Sequence, residues 1–147
     1  MKYNWNWSVL FEQQYFDWIV SGTLWTIYLS LAASVIAFFL GSLIGILRTL
    51  DNKILNFIGT TYVEIFRNIP LLVQMFIWYF VFPELVPKEF GKWLKQDLPN
   101  PKFYSALFCL GTYTASRVAE QVRSGINSVS TGVGSAGYAT GLTTYQL

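Results

Sequence analysis

Between Glu64 and Phe82 the chain places an acid and a base three residues apart, Glu64 and Arg67, followed by Asn68 and Pro70. From Leu71 to Phe82 Gln74 is then the sole strongly polar side chain. On a helix, a carboxylate and a guanidinium at that spacing neutralise each other. Arg117, Glu120 and Arg123 repeat the spacing, so two sets of structural ion pairs are predicted, Glu64 with Arg67 and Glu120 with its flanking arginines. Two readings are open. Either both sets anchor helix ends at a membrane surface, with the arginines snorkelling to water, or they lie at membrane depth. There an ionisable group must be offset by a partner or a water-lined cavity, and it marks a solute path. Arg67, Asn68, Gln74 and Glu120 are the candidate pathway residues. The Gln74 amide needs a partner, which could be another helix, a carbonyl freed near Pro70, or a polar solute.

Other chemistries are excluded by what the chain lacks. There is no histidine and one cysteine, Cys109, inside an apolar run. An intramolecular disulfide, a Cys/His metal site and any histidine-dependent triad are therefore ruled out. No GxxxxGK[ST] loop is present, so nucleotide binding by that device is not expected. The chain reads as a non-enzyme with no cofactor and no metal, and a net charge of +2 is too small to suggest nucleic acid. Apolar residues make up 53% and charged ones 12%, about half the charge of a soluble domain. With a mean hydropathy of +0.39, this composition predicts an integral membrane protein.

Three elements must position these groups. The start mixes Asn4, Trp5, Asn6, Trp7, Tyr15, Phe16 and Trp18 with Glu12 and Asp17, which suits the headgroup level. Ile19 to Leu47 carries no charge and is the clearest span, closed by Arg48. Its Gly41-Ser42-Leu43-Ile44-Gly45 is a GxxxG, able to bring a second helix close or equally to face lipid. Asp51-Asn52 suits a turn. Ile69 to Phe82 alone would reach only ~21 Å as a helix, short of the ~30 Å of a bilayer core. The second span must therefore begin near Thr60, with a kink or break before Pro70 and an end at Pro83. Pro83 to Lys102 holds four prolines and seven charged residues and reads as a wet loop, with Phe90, Trp93 and Leu94 on a short amphipathic helix. The third span is 103–122, followed by a small-residue stretch over 123–147. Lysines and arginines divide five against five between the two sides, all four arginines on one, so the positive-inside rule does not decide orientation.

Glu64-Ile65-Phe66-Arg67-Asn68-Ile69-Pro70-Leu71-Leu72-Val73-Gln74 resembles the E-x-F-R-x-x-P-L-L-V-Q signature of polar amino-acid permeases of bacterial ABC importers. Gly22-Thr23-Leu24-Trp25-Thr26 is similar to the start of that family's first helix. Ala119-Glu120-Gln121-Val122-Arg123-Ser124-Gly125-Ile126 is similar to its A-E-x-x-R-x-G-I segment. The Asn-Trp-Asn-Trp start resembles the glutamate/aspartate subgroup. The resemblance covers essentially the whole chain. It implies an all-α transmembrane fold, here three membrane-spanning helices of an expected five, in the bacterial inner membrane with an outward N-terminus. It further implies ABC ATPase subunits, a second permease copy or homologue, and an extracytoplasmic solute-binding protein as partners.

The resemblance also implies a cytoplasmic loop after the third span, carrying an E-A-A-x-x-x-G coupling motif that docks on the ATPase. Gly132, Ser135, Ala136, Gly137 and Gly141 fall there; Ala136 and Gly141 fit the motif, whereas Ser135 replaces its glutamate and Gly137 its second alanine. Glycine costs a helix interior ~0.5–1 kcal/mol against alanine, and serine brings no charge. The family's later I-x-L-P and last two spans would lie beyond Leu147. The reading is thus the N-terminal part of a permease subunit for polar amino acids, with glutamate and aspartate the expected solutes. The alternative is a truncated, non-transporting membrane protein acting through helix packing.

Overall fold

The computed structural model describes residues 7–129, 131–141 and 143. Asn4, Trp5 and Asn6 of the mixed start, and Ser130, Leu142 and residues 144–147 of the expected coupling loop, lie outside the described residues. Among the described residues the chain is helical, with no strand.

A short tight turn, Trp7–Phe11, leads into α1, Gln13–Leu47. Its 35 residues make it ~52 Å long, longer than a bilayer core. Apolar side chains surround it: Leu31, Val35, Phe38, Phe39 and Leu43 are all exposed, as expected of a helix whose solvent is lipid. Only a narrow stripe is covered, Ala33, Ala37, Gly41 and Gly45 at four-residue spacing, with Ile44 beside it. The opposing stripe belongs to α6, Pro101–Ser128, where Cys109, Gly111, Ala115, Ser116 and Ala119 are buried. A methyl group on Gly41 would stand 2.6 Å from Val118 Cβ and 2.7 Å from the Ala115 carbonyl oxygen. One on Gly45 would stand 2.7 Å from Val122 Cβ. The GxxxG therefore serves helix contact, and small residues on both sides let two backbones meet. At the far end of this seam the Trp25 and Phe103 rings meet edge to face at 5.4 Å.

α1 ends at Arg48, and Asn52 caps the next helix, α2 (Lys53–Asn68), its side-chain oxygen accepting from the Ile54 and Leu55 N–H groups. α2 closes the core: Val63 packs with Ile44 and Ala119, flanked by Leu40 and Tyr62. The Tyr62 hydroxyl donates to the Thr112 carbonyl of α6 at 2.7 Å.

The chain breaks at Ile69–Pro70. Ile69 is extended (φ −93°, ψ 125°), the conformation that a following proline imposes. α3, Leu71–Phe76, sets off in a new direction. The run from Leu71 to Leu85 meets α2 at 102°, so residues 60–82 do not form a straight crossing. Nor does Pro83 end this run. The backbone widens over Ile77–Val81, with the Phe82 N–H reaching back to the Ile77 carbonyl. That accommodates the proline ring upstream, and α4 continues over Phe82–Leu85 with Pro83 buried. α5, Lys88–Lys92, folds back against α4 so closely that Gly91 has no room for a Cβ beside the Pro83 carbonyl. A second wide turn, Trp93–Asp97, completes this amphipathic segment, with the Phe90 and Trp93 rings stacked at 5.6 Å. Lys95 pairs with Glu84 across it.

α1 is the one described helix that is long and apolar enough to cross a membrane by itself. The bent pair α2 and Leu71–Leu85 passes the same test only if taken together. α6 continues past the expected end of the third span and takes residues 123–128 from the expected loop. After the extended Val129 comes α7, Thr131–Ala139.

Candidate functional site

The site forms where the C-terminal ends of α1 and α2 converge on the last third of α6. Arg48, the residue just past α1, is only 5% exposed. Its backbone is fixed first: the N–H donates to the Ile44 carbonyl at 3.1 Å, and its own carbonyl accepts from Asn56 Nδ2 at 2.6 Å. Its aliphatic stem lies across α2 at Gly59, where a Cβ would come within 2.6 Å of Arg48 Cγ. Any larger residue at 59 would push the stem away. The guanidinium then reaches over α2, Nε donating to Thr60 Oγ1 at 3.4 Å, and ends with Nη1 2.8 Å from Glu120 Oε2.

The same oxygen meets a second cation. Arg67 Nη1, in the last turn of α2, stands 3.4 Å from Glu120 Oε2. Arg123, nearly a turn further along α6, adds its positive field to that carboxylate without coming within ion-pair distance. One acid thus joins three helices and faces more positive charge than it neutralises. The two guanidinium contacts differ: Arg48 is buried and has further partners, whereas the Arg67 side chain is 51% exposed.

The expected helix-local pairs do not form. Glu64 is exposed and makes no ion pair with Arg67, which turns to α6. Arg117 engages neither Glu120 nor another acid. It donates to the Tyr113 hydroxyl and lies 5.0 Å from that ring's centre. The physical reason is one of magnitude. An exposed pair three residues apart stabilises a helix by only ~0.2–0.5 kcal/mol, while leaving Arg48 buried and unpaired would cost several kcal/mol. Among the described residues, Glu120 is the carboxylate that the fold brings to it.

Gln74 is 4% exposed and serves the break in the chain. Its Nε2 donates to the carbonyls of Phe66 and Ile69, both at 2.8 Å. These are acceptors at the open end of α2, and Pro70 has no N–H to offer the Phe66 carbonyl four residues back. The partner is thus the freed backbone at the kink. Gln74 Oε1 is buried and accepts no hydrogen bond from the described residues. Asn68, the last residue of α2, is exposed.

In the expected coupling region, Gly132, Ser135 and Ala136 lie exposed on α7, and Gly137 is buried. Gly141 adopts φ +85° just after the helix, a left-handed position that glycine occupies without strain. Among the described residues no group of three or more His, Cys, Asp or Glu side chains assembles that could hold a metal ion.

Arg48 and Thr60 were not among the residues singled out from sequence. Arg48 was visible only as the charge closing a charge-free run, a position that equally suits a helix terminator.

Residues 37–147 match the family described as binding-protein-dependent transport system inner membrane component. The chain is 49% identical over 154 aligned residues to the glutamate/aspartate import permease protein GltJ of Escherichia coli (strain K12), covering 99% of this chain and 63% of that protein. It is 26% identical to the glutamate/aspartate import permease protein GltK of Escherichia coli O6:H1, covering 98% of this chain and 62% of that one. It therefore spans less than two thirds of the length of either relative. The crystal structure of an amino acid ABC transporter with histidines superposes with a TM-score of 0.75 at 23% identity, over 97% of this chain and 61% of that chain. That likeness shows a shared fold. With three quarters of its length inside the family's boundaries, this chain belongs to the inner-membrane components of binding-protein-dependent transport systems: a membrane transport component and not an enzyme.

Proposed function

We propose that the chain is part of the membrane-spanning subunit of an ATP-driven importer of polar amino acids, with glutamate and aspartate as its solutes. The observation that carries this is the 49% identity, along nearly the whole chain, to a glutamate/aspartate import permease. In this reading the subunit is multi-pass, contributing 19–47, the bent segment 60–82 and 103–122 as spans. It pairs with a second permease, binds ABC ATPase subunits on one side of the membrane and receives solute from a binding protein on the other. Arg67, Asn68 and Glu120 border the path, while Gln74 holds the elbow that aims Arg67 at it. α7 with Ser135, Ala136 and Gly137 is the coupling element, stopped at Gly141. Serine in place of an acid gives it a contact with the ATPase built on shape and neutral hydrogen bonds.

The site chemistry supports an acidic solute. A membrane-embedded cluster is stable only when its charges are matched, and this one has an excess of positive charge facing an exposed guanidinium. The test is uptake of labelled glutamate by cells that express the complete importer, with and without an ATPase substitution that abolishes hydrolysis. Uptake that disappears with hydrolysis supports the proposal. Uptake that survives excludes ATP coupling, and absence of uptake in the unmodified system favours a packing role without transport.

A further inference from the structure

We infer that Arg117 lines the solute path and is the counter-ion for the side-chain carboxylate of an acidic amino acid. It is then the residue that separates acids from their amides. The inference rests on the importer reading above, with α6 as a span, and adds to it a named contact and a selectivity.

Depth in the helix comes first. α6 runs over Pro101–Ser128. At ~1.5 Å per residue, Tyr113 lies ~18 Å from its first residue and Arg117 ~16 Å from its last. Half of a bilayer core is ~15 Å, so the two side chains stand near its middle. Snorkelling would carry the guanidinium toward the nearer end of the helix. Instead it turns back to Tyr113, donating to the hydroxyl and lying 5.0 Å from the ring centre.

Charge is the second observation. Arg117 is exposed, and among the described residues it makes no ion pair. Glu120, the nearest acid in sequence, is taken by Arg48 and Arg67. A lone guanidinium at that depth is costly against lipid and is tolerated where it meets a partner or a water-lined cavity. The Tyr113 ring and hydroxyl hold the cation in place but leave its charge uncompensated. A guanidinium fork fits a carboxylate with two parallel charge-assisted bonds; a carboxamide offers it one uncharged oxygen. Sequence position agrees. Glu64 to Gln74 and Ala119 to Ile126 resemble stretches of polar amino-acid permeases in general. A residue shared by carriers of acids and of amides does not tell the two apart. Arg117 falls outside both stretches.

The test uses the complete importer without its binding protein, in nanodiscs of zwitterionic lipid. The first probe is a water-soluble, arginine-directed glyoxal, with modified residues located by mass spectrometry. Arg117 should react in the folded protein, and glutamate should slow that reaction while glutamine does not. The second probe is labelled glutamate, competed by unlabelled glutamate or glutamine. Arg117→Gln should weaken glutamate by about tenfold, the worth of a modest charge-assisted bond, and leave glutamine unchanged. Arg117→Lys should retain most of the preference, since it keeps the charge. An Arg117 that reacts only after denaturation in SDS would overturn the inference, because it would then face lipid or a subunit. Equal protection by glutamate and glutamine, or by neither, would overturn it, as would an acid preference that survives in Arg117→Gln. So would protection by phosphatidylglycerol in the nanodisc, since the counter-ion would then be a lipid. ATP-dependent uptake that persists alongside any of these results would leave the importer reading standing and this contact refuted.

Discussion

Replacing Gly41 with alanine sets two effects of known size against each other. In a helix interior, alanine is favoured over glycine by ~0.8–1.0 kcal/mol. At Gly41 the added carbon would lie 2.6 Å from Val118 Cβ and 2.7 Å from the Ala115 carbonyl oxygen. The Val118 side chain could rotate its methyls, but the carbonyl belongs to the α6 backbone and the clash with it has no local relief. α1 and α6 must part by ~1 Å, enough to forfeit a quarter to a half of the dispersion energy across the seam. Overpacking of this kind costs about 1–3 kcal/mol, and the backbone clash puts Gly41→Ala near the upper end, a net loss of about 1–2 kcal/mol. Gly22, on the same helix, has nothing within 4 Å of the position its Cβ would occupy, so Gly22→Ala keeps only the gain. The two variants should differ by about 2–3 kcal/mol, roughly 4–12 °C in Tm for a chain of this size. Thermal melts in detergent, followed by tryptophan fluorescence, read that gap. A Gly41→Ala variant that melts at or above Gly22→Ala would refute the close approach of α1 and α6.

The remaining structure makes three further predictions. Gln74→Leu removes both donors at the elbow and should cost about 1–3 kcal/mol, seen as faster amide exchange over 66–76; unchanged exchange would mean that Pro70 holds the bend without help. Gly91→Ala should force α5 off the Pro83 carbonyl and speed tryptic cleavage after Lys88 and Lys92, while leaving the α1–α6 seam intact. Cys109 is fully buried and should resist maleimide until the protein is denatured in SDS; prompt labelling of the folded protein would place the thiol outside the helix contact.

Much of this was legible in residue types whose chemistry acts locally. Pro70 has to break a helix because it lacks a donor and crowds the preceding turn, and Ile69 is extended for the same reason. Asp51-Asn52 announces a turn, though not that Asn52 caps the next helix, and glycines four apart permit a close contact while leaving lipid equally open. What was not legible depended on distance in space. Glu64 and Arg67 are correctly spaced for each other, yet Arg67 sits where α6 delivers a carboxylate already needed by Arg48. Nothing near Arg48 in sequence reveals Glu120, seventy-two residues away. Pro83 likewise reads as a terminator, but a widened turn upstream lets the helix pass through it. Of the candidate pathway residues, Gln74 could be assigned a partner only once the open end of α2 was seen folded over it.

The site depends most on Glu120 joining the helices by capturing Arg48. A double-mutant cycle with Arg48→Met and Glu120→Leu tests that capture, with unfolding free energies read in mixed micelles. Glu120→Leu leaves a buried cation with no counter-ion and should cost about 3–5 kcal/mol. Arg48→Met should cost less, because Glu120 is 40% exposed and keeps Arg67. The double variant should recover at least ~1 kcal/mol relative to the sum of the singles. Additive losses, within ~0.5 kcal/mol, would mean that the two side chains do not interact, and the site described here would not exist.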